Sequence, residues 1–186
     1  QFIPHVTNAI VAMLQKAARV PMDGQVPDIC IVELGGTVGD MESMHFVEAL
    51  RQMRCSAPQD FCLVGVSMLL SVNGEEKTKP TQQCVQEMRR LGLAPDMLVL
   101  RSDTMISEDA KRKISMHCHV APECIIANTN TQHIYEVPER LNTQNIVGRM
   151  SECLGLKTQE PPSVKWAFPS TPVINVAIVG KYTKTH

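Results

Sequence analysis

Two short stretches combine residue types that could handle phosphate and metal. The first is Glu33-Leu34-Gly35-Gly36-Thr37-Val38-Gly39-Asp40-Met41-Glu42. Three glycines let the backbone bend sharply and come close to a ligand. Glu33 directly follows the apolar run Ile29-Cys30-Ile31-Val32. A carboxylate at the carboxyl end of a buried strand could hold magnesium beside nucleotide phosphates. Asp40 and Glu42 could accept hydrogen bonds from ribose hydroxyls or a base amine. The glycine spacing is neither the dinucleotide fingerprint nor the phosphate-binding P-loop. A glycine-rich turn with solvated carboxylates accounts for the same pattern.

The second stretch is Gly74-Glu75-Glu76-Lys77-Thr78-Lys79-Pro80-Thr81-Gln82. Pro80 suits the first turn of a helix, which places Thr78 or Lys79 at the helix entry. Two lysines, two threonine hydroxyls and a helix amino terminus suit a polyphosphate. A polar surface loop explains them equally well. A third group, Lys111-Arg112-Lys113, falls on an expected helix, where such runs usually form a solvated basic face.

Other candidates are weaker. Cys153-Leu154-Gly155 resembles part of a glutaminase nucleophile elbow, but Ser151 stands where that turn needs glycine, and the lead-in at 146–150 reads as helix. The six histidines show no metal-ligand pairing; His117 and His119 flank Cys118 without further partners. Seven cysteines, at 30, 55, 62, 84, 118, 124 and 153, form an odd set with no CxxC pair. That pattern argues for reduced thiols in a cytoplasmic protein rather than a zinc site or disulfide framework.

The elements that must position these residues alternate. Thr7 is a plausible cap for a helix carrying Ala9, Ile10, Ala12, Met13 and Leu14. Strands are expected at 29–32, 61–70, 97–100 and 124–127, and helices at 44–53, 82–91 and 109–118. This order predicts an α/β domain with a mostly parallel sheet, whose ligands gather at the carboxyl ends of strands. Its 186 residues suffice for one domain with a real core. The formal net charge of −1 argues against sequence-independent binding of nucleic acid, and no apolar run is long enough to span a bilayer. Pro161, Pro162, Pro169 and Pro172 mark an interdomain linker at 157–172, followed by a new apolar strand within 173–186.

Taken in order, these stretches resemble CTP synthase. The resemblance rests on Ile3-Pro4-His5-Val6-Thr7-Asn8-Ala9-Ile10, on residues 33–43, on Glu48-Ala49-Leu50-Arg51-Gln52 and on residues 74–82. It continues through Leu91-Gly92-Leu93-Ala94-Pro95-Asp96, Lys113-Ile114-Ser115, Ile134-Tyr135-Glu136-Val137-Pro138 and Val179-Gly180-Lys181-Tyr182-Thr183. It implies the carboxyl-terminal part of a P-loop-type synthetase (amidoligase) domain over 1–156 and the first strand of a glutamine amidotransferase domain at 173–186. It also implies ATP-dependent amination of UTP to CTP through a phosphorylated UTP, with ammonia from glutamine.

By the same resemblance, Glu33 is the magnesium ligand. Asp40, Met41 and Glu42 contact the pyrimidine nucleotide, UTP as substrate or CTP as feedback inhibitor. Lys77, Thr78, Lys79, Pro80, Thr81, Gln82 and Lys113 hold its triphosphate, and Thr129, Asn130 and Thr131 meet the ATP adenine. A cytoplasmic homotetramer, with possible filaments, is implied as well. Four positions depart from the family pattern: Glu76 for glutamine, His45 for proline, His117 for phenylalanine and Asn130 for aspartate. No P-loop and no Cys-His-Glu triad occurs in the sequence. The expectation is therefore a partial chain, poorly soluble and inactive by itself. A related P-loop amidoligase and a non-catalytic assembly or regulatory paralogue are the competing readings.

Overall fold

The computed structural model describes residues 1–157, Ala177 and Gly180. Three parallel strands organise it: β1 (Val64–Met68), β4 (Met97–Ser102) and β5 (Ile125–Thr129), in the order β1-β4-β5. Between β1 and β4 come a two-stranded antiparallel hairpin, β2 (Leu70–Val72) and β3 (Glu75–Lys77), and helix α3 (Lys79–Arg90). Helix α4 (Glu108–Cys118) connects β4 to β5. Helices α1 (Thr7–Ala17) and α2 (Met44–Ser56) precede the sheet, and α5 (Val137–Asn142) and α6 (Ile146–Cys153) follow it. The α/β class with a mostly parallel sheet is as expected from the sequence.

β4 is central because it is apolar on both faces: Met97, Leu98 and Leu100 are almost completely buried. Leu98 and Leu100 share a core cluster with Ile125 and Ala127 of β5, Val85 of α3, and Ala110, Ile114 and Cys118 of α4. Burying each large aliphatic side chain stabilises the fold by roughly 1.5–3 kcal/mol. This cluster therefore outweighs the surface ion pairs, which contribute about 0–1 kcal/mol each. The start of α4 is capped by Ser107, whose Oγ accepts from the Ala110 N–H at 3.2 Å, and Glu108 and Asp109 suit the positive end of the helix dipole.

Three local expectations change. The run at 29–32 is not a strand: it has no ladder partner among the described residues, and Ile31 is 88% exposed. A strand exists only through its neighbours' hydrogen bonds, so apolar content alone did not make one. The single strand expected at 61–70 divides into β1 and β2, with Leu69 between them donating its N–H to Arg101 O at 2.8 Å. Thr7 is not a cap. Val6 and Thr7 already have helical backbone angles, Val6 holds the cap position, and the Thr7 hydroxyl donates to Pro4 O at 3.1 Å. The linker at 157–172 and the strand within 173–186 lie outside the described residues apart from Lys157, Ala177 and Gly180.

The sheet and its flanking layer meet closely at Gly65 of β1. A Cβ there would stand 2.9 Å from Leu98 Cδ2 and 3.3 Å from Pro95 Cβ. Gly65→Ala is expected to destabilise the domain by about 1–3 kcal/mol through overpacking. A denaturation midpoint equal to that of the parent would show that this contact does not constrain the sheet.

Candidate functional site

The expected site residues come to lie in three places. In the first, Glu33, Asp40 and Glu42 line one cavity of about 270 Å³ with Leu34, Gly35, Gly36, Ser43 and Phe46. The loop is shaped by its own hydrogen bonds. The Asp40 N–H donates to Thr37 O at 3.1 Å, and the Ser43 hydroxyl donates to Asp40 O at 2.9 Å. Gly39 has φ of +94°, where L side chains are strained, and a Cβ would also press on Glu87 of α3 at 3.3 Å. Met41 points to solvent. Glu33 keeps its carboxylate company without standing at a strand end, since residues 29–32 form no strand.

The second place is the hairpin and the entry of α3. Asn73 and Gly74 both have positive φ, 52° and 79°, and form the two-residue turn that pairs β2 with β3. The turn sets Lys77 at the end of β3, and Lys77 Nζ bonds Glu75 Oε2 at 2.5 Å. That bond holds the Glu75 carboxyl below its ordinary range, and the charge of Lys113 on α4 lowers it further. Two cations from different elements therefore act on one exposed carboxylate. Thr78 precedes α3 and accepts from Gln82 Nε2 at 3.1 Å; Lys79 and Pro80 are exposed in the first turn. Thr81 is fully buried, its hydroxyl 3.4 Å from Met68 O, so its contact is with β1. Of the basic run on α4, Lys111 pairs with Glu108 at 3.9 Å and Arg112 with Asp109.

The third place lies where β4 and β5 end. Thr129 and Asn130 line a cavity of about 250 Å³ with Asp103, Thr104, Met105, Arg140, Thr143 and Gln144; Thr131 is not among its lining residues. Arg140 Nη1 donates to Thr129 Oγ1 at 2.9 Å and to Asn130 O at 3.3 Å. Gln144 acts as a surrogate strand: its Oε1 accepts from Ala127 N–H at 2.8 Å and its Nε2 donates to Ala127 O at 2.8 Å. The sequence reading missed Asp103, Arg140 and Gln144. Asp103 had a signal, since it directly follows the β4 segment; Arg140 and Gln144 come from helical turns with no motif of their own.

Three of the four positions expected to depart from the family pattern have partners here. Asn130 Nδ2 donates to Asp103 Oδ1 at 2.9 Å, where an aspartate would set two carboxylates against each other. Glu76 accepts from the Ser107 N–H at 3.1 Å and from the Ser107 hydroxyl, a carboxylate at the amino end of α4. His45 stacks on Phe2, with ring centroids 5.3 Å apart. His117 is exposed on the last turn of α4. Cys153 closes helix α6 rather than a strand, as its sequence context predicted. Among the described residues no helix is long and apolar enough to cross a membrane.

Residues 1–156 match the family model described as CTP synthase N-terminus. The chain belongs to the CTP synthase family. It is 43% identical over 198 residues to CTP synthase 2 of Homo sapiens, an alignment covering 99% of this chain and 34% of that protein. CTP synthase of Dictyostelium discoideum is 40% identical over 210 residues, covering 98% of this chain and 37% of that protein. CTP synthase 1 of Danio rerio is 42% identical, with 99% and 34% covered. The chain thus spans about a third of the length of the curated relatives it matches.

The sharpest local dependence in the third place is Ala127 on Gln144. Gln144→Leu leaves a strand N–H and C=O without that partner and should cost about 1–3 kcal/mol. Amide exchange at Ala127 should accelerate; an unchanged rate would mean that the side-chain amide does not protect this edge.

Proposed function

We propose that this chain forms the pyrimidine-nucleotide part of a synthetase that aminates UTP to CTP, using ATP and ammonia derived from glutamine. The observation that carries this reading is Lys77, paired with Glu75 at 2.5 Å beside the amino terminus of α3, with the positive charge of Lys113 also felt by that carboxylate. A triphosphate carries about four negative charges and would compete with Glu75 for both cations, taking further hydrogen bonds at the helix entry. Lys79 and Thr78 stand at that entry and would extend the same contact. CTP, with the same triphosphate, would occupy the same cations as a feedback inhibitor.

The carboxylates around the first cavity fit magnesium, a hard cation taking oxygen donors and usually one or two carboxylates with phosphates and water. Glu33 would hold the ion, with Asp40 and Glu42 beside it; when bound, magnesium supplies charge neutralisation on the phosphates during phosphoryl transfer. Asp40 and Glu42 would also accept from the nucleotide's sugar or base. Thr129, Asn130 and Thr131 would meet the ATP adenine beside Arg140. In this reading the phosphoryl group goes from ATP to the UTP 4-oxygen, and ammonia then displaces phosphate. Assembly as a homotetramer in the cytoplasm belongs to the same proposal.

Two variants of the intact protein test it. Lys77→Ala should raise the UTP requirement and weaken CTP inhibition together, by roughly tenfold to a hundredfold, as loss of a charge-assisted bond of ~1.5–3 kcal/mol requires. Unchanged affinity for both nucleotides would remove Lys77 from the triphosphate site. Glu33→Gln keeps the side chain's shape and removes its charge. Steady-state assays should find CTP formation abolished while glutamine hydrolysis persists; near-normal CTP formation would reject the metal role.

A further inference from the structure

At the amino-terminal rim of the sheet, away from the nucleotide residues, the fold gathers a donor set that the sequence spacing concealed. Cys62 precedes β1, Asp96 precedes β4, and Cys153 ends α6. One ligand atom from each lies within 4.8 Å of the others, and this is the one such trio of His, Cys or carboxylate groups among the described residues. Each side chain is half-buried. We propose that Cys62, Asp96 and Cys153 form a binding site for a zinc-class divalent cation, three protein ligands with the fourth position open to water.

Geometry, charge and second-sphere contacts support this assignment independently. In a tetrahedral site with Zn–S of about 2.3 Å, two thiolate sulfurs stand about 3.8 Å apart. The trio needs to contract by no more than about 1 Å to reach that spacing. Two thiolates are soft donors that select zinc over magnesium or calcium, and aspartate is an accepted third ligand. Water completes the tetrahedron. On binding, each thiol releases its proton to solvent. The two thiolates, the carboxylate, the divalent ion and the adjacent Arg54 guanidinium then sum to zero charge.

Asp96 is also oriented as metal-binding carboxylates are. Oδ1 accepts from Arg54 Nη2 at 2.7 Å, and Oδ2 accepts from the Leu63 N–H at 2.7 Å. Such outer contacts hold a ligand in place before the ion arrives. The Cys153 thiol donates to Phe61 O at 3.6 Å, which fixes its sulfur within 4.8 Å of the other two donor atoms. A cation here would also have a structural task. Gly148 is the one buried residue of α6, so the helix has little apolar anchorage of its own. Cys153 is its tether to the bases of β1 and β4.

The test uses cobalt(II) as a spectroscopic substitute, added to the reduced intact protein. The expected result is a thiolate-to-cobalt charge-transfer band that saturates at one equivalent for this site and is displaced by zinc. C62S/C153S should abolish that component, whereas C30S/C55S, at two exposed thiols, should leave it unchanged. R54Q should weaken binding about 10–100-fold, the usual effect of losing an outer contact. A variant-free readout accompanies these: zinc should protect Cys62 and Cys153 together from alkylation, resolved peptide by peptide. Absence of the band, its persistence in C62S/C153S, or equal alkylation of both thiols with and without zinc would overturn the site. So would oxidation in air to a Cys62–Cys153 disulfide by a protein that binds no cobalt when reduced.

Discussion

One carboxylate, Asp96, sets the frame for the rest of the domain. It receives the Leu63 N–H at the base of β1 and the Arg54 guanidinium from α2, while its own N–H donates to Leu63 O at 2.8 Å. The reciprocal bonds between residues 63 and 96 start the β1–β4 ladder, which then pairs Val64 with Met97 and runs to Met68 opposite Arg101. In parallel strands a slip of one residue would exchange the faces of every side chain. The bonds at Asp96 therefore determine where β1 ends, and with it where the hairpin and the entry of α3 begin. The triphosphate residues proposed here are placed from the far end of the sheet.

Much of this was legible in the sequence because continuous apolar runs and helical spacing were unambiguous for β4, β5, α3 and α4. Their ends moved by a few residues: α3 begins at Lys79 and α4 at Glu108. Capping explains both, through Pro80 in the first turn of α3 and Ser107 before α4. The hairpin was missed although Asn73-Gly74 is its usual turn, because the lysines and threonines around it were read as a ligand loop. The strand at 29–32 was read from composition, which cannot show whether a hydrogen-bonding neighbour exists. The Cys62, Asp96 and Cys153 cluster was invisible for another reason. Its members are brought together by parallel strand order, and no local spacing encodes that.

The polar residues of the candidate site are organised in compensating pairs rather than left as bare charge. Lys77 is held by Glu75, Asn130 by Asp103, and Glu76 by Ser107. Two of these pairs involve positions expected from the sequence to depart from the family pattern, and each has a partner suited to the residue present. Asn130 gives Asp103 a donor instead of a second negative charge. Glu76 places a carboxylate where the α4 amino terminus favours one. A residue can thus preserve local electrostatics by matching its neighbour.

The grip of Gln144 on Ala127 has a consequence for how the sheet can be extended. One rim of β5 is already occupied by a side chain that imitates a neighbouring strand. The opposite rim, along β1, has no strand paired to it among the described residues. A strand added beside β5 would first have to displace the Gln144 side chain from Ala127.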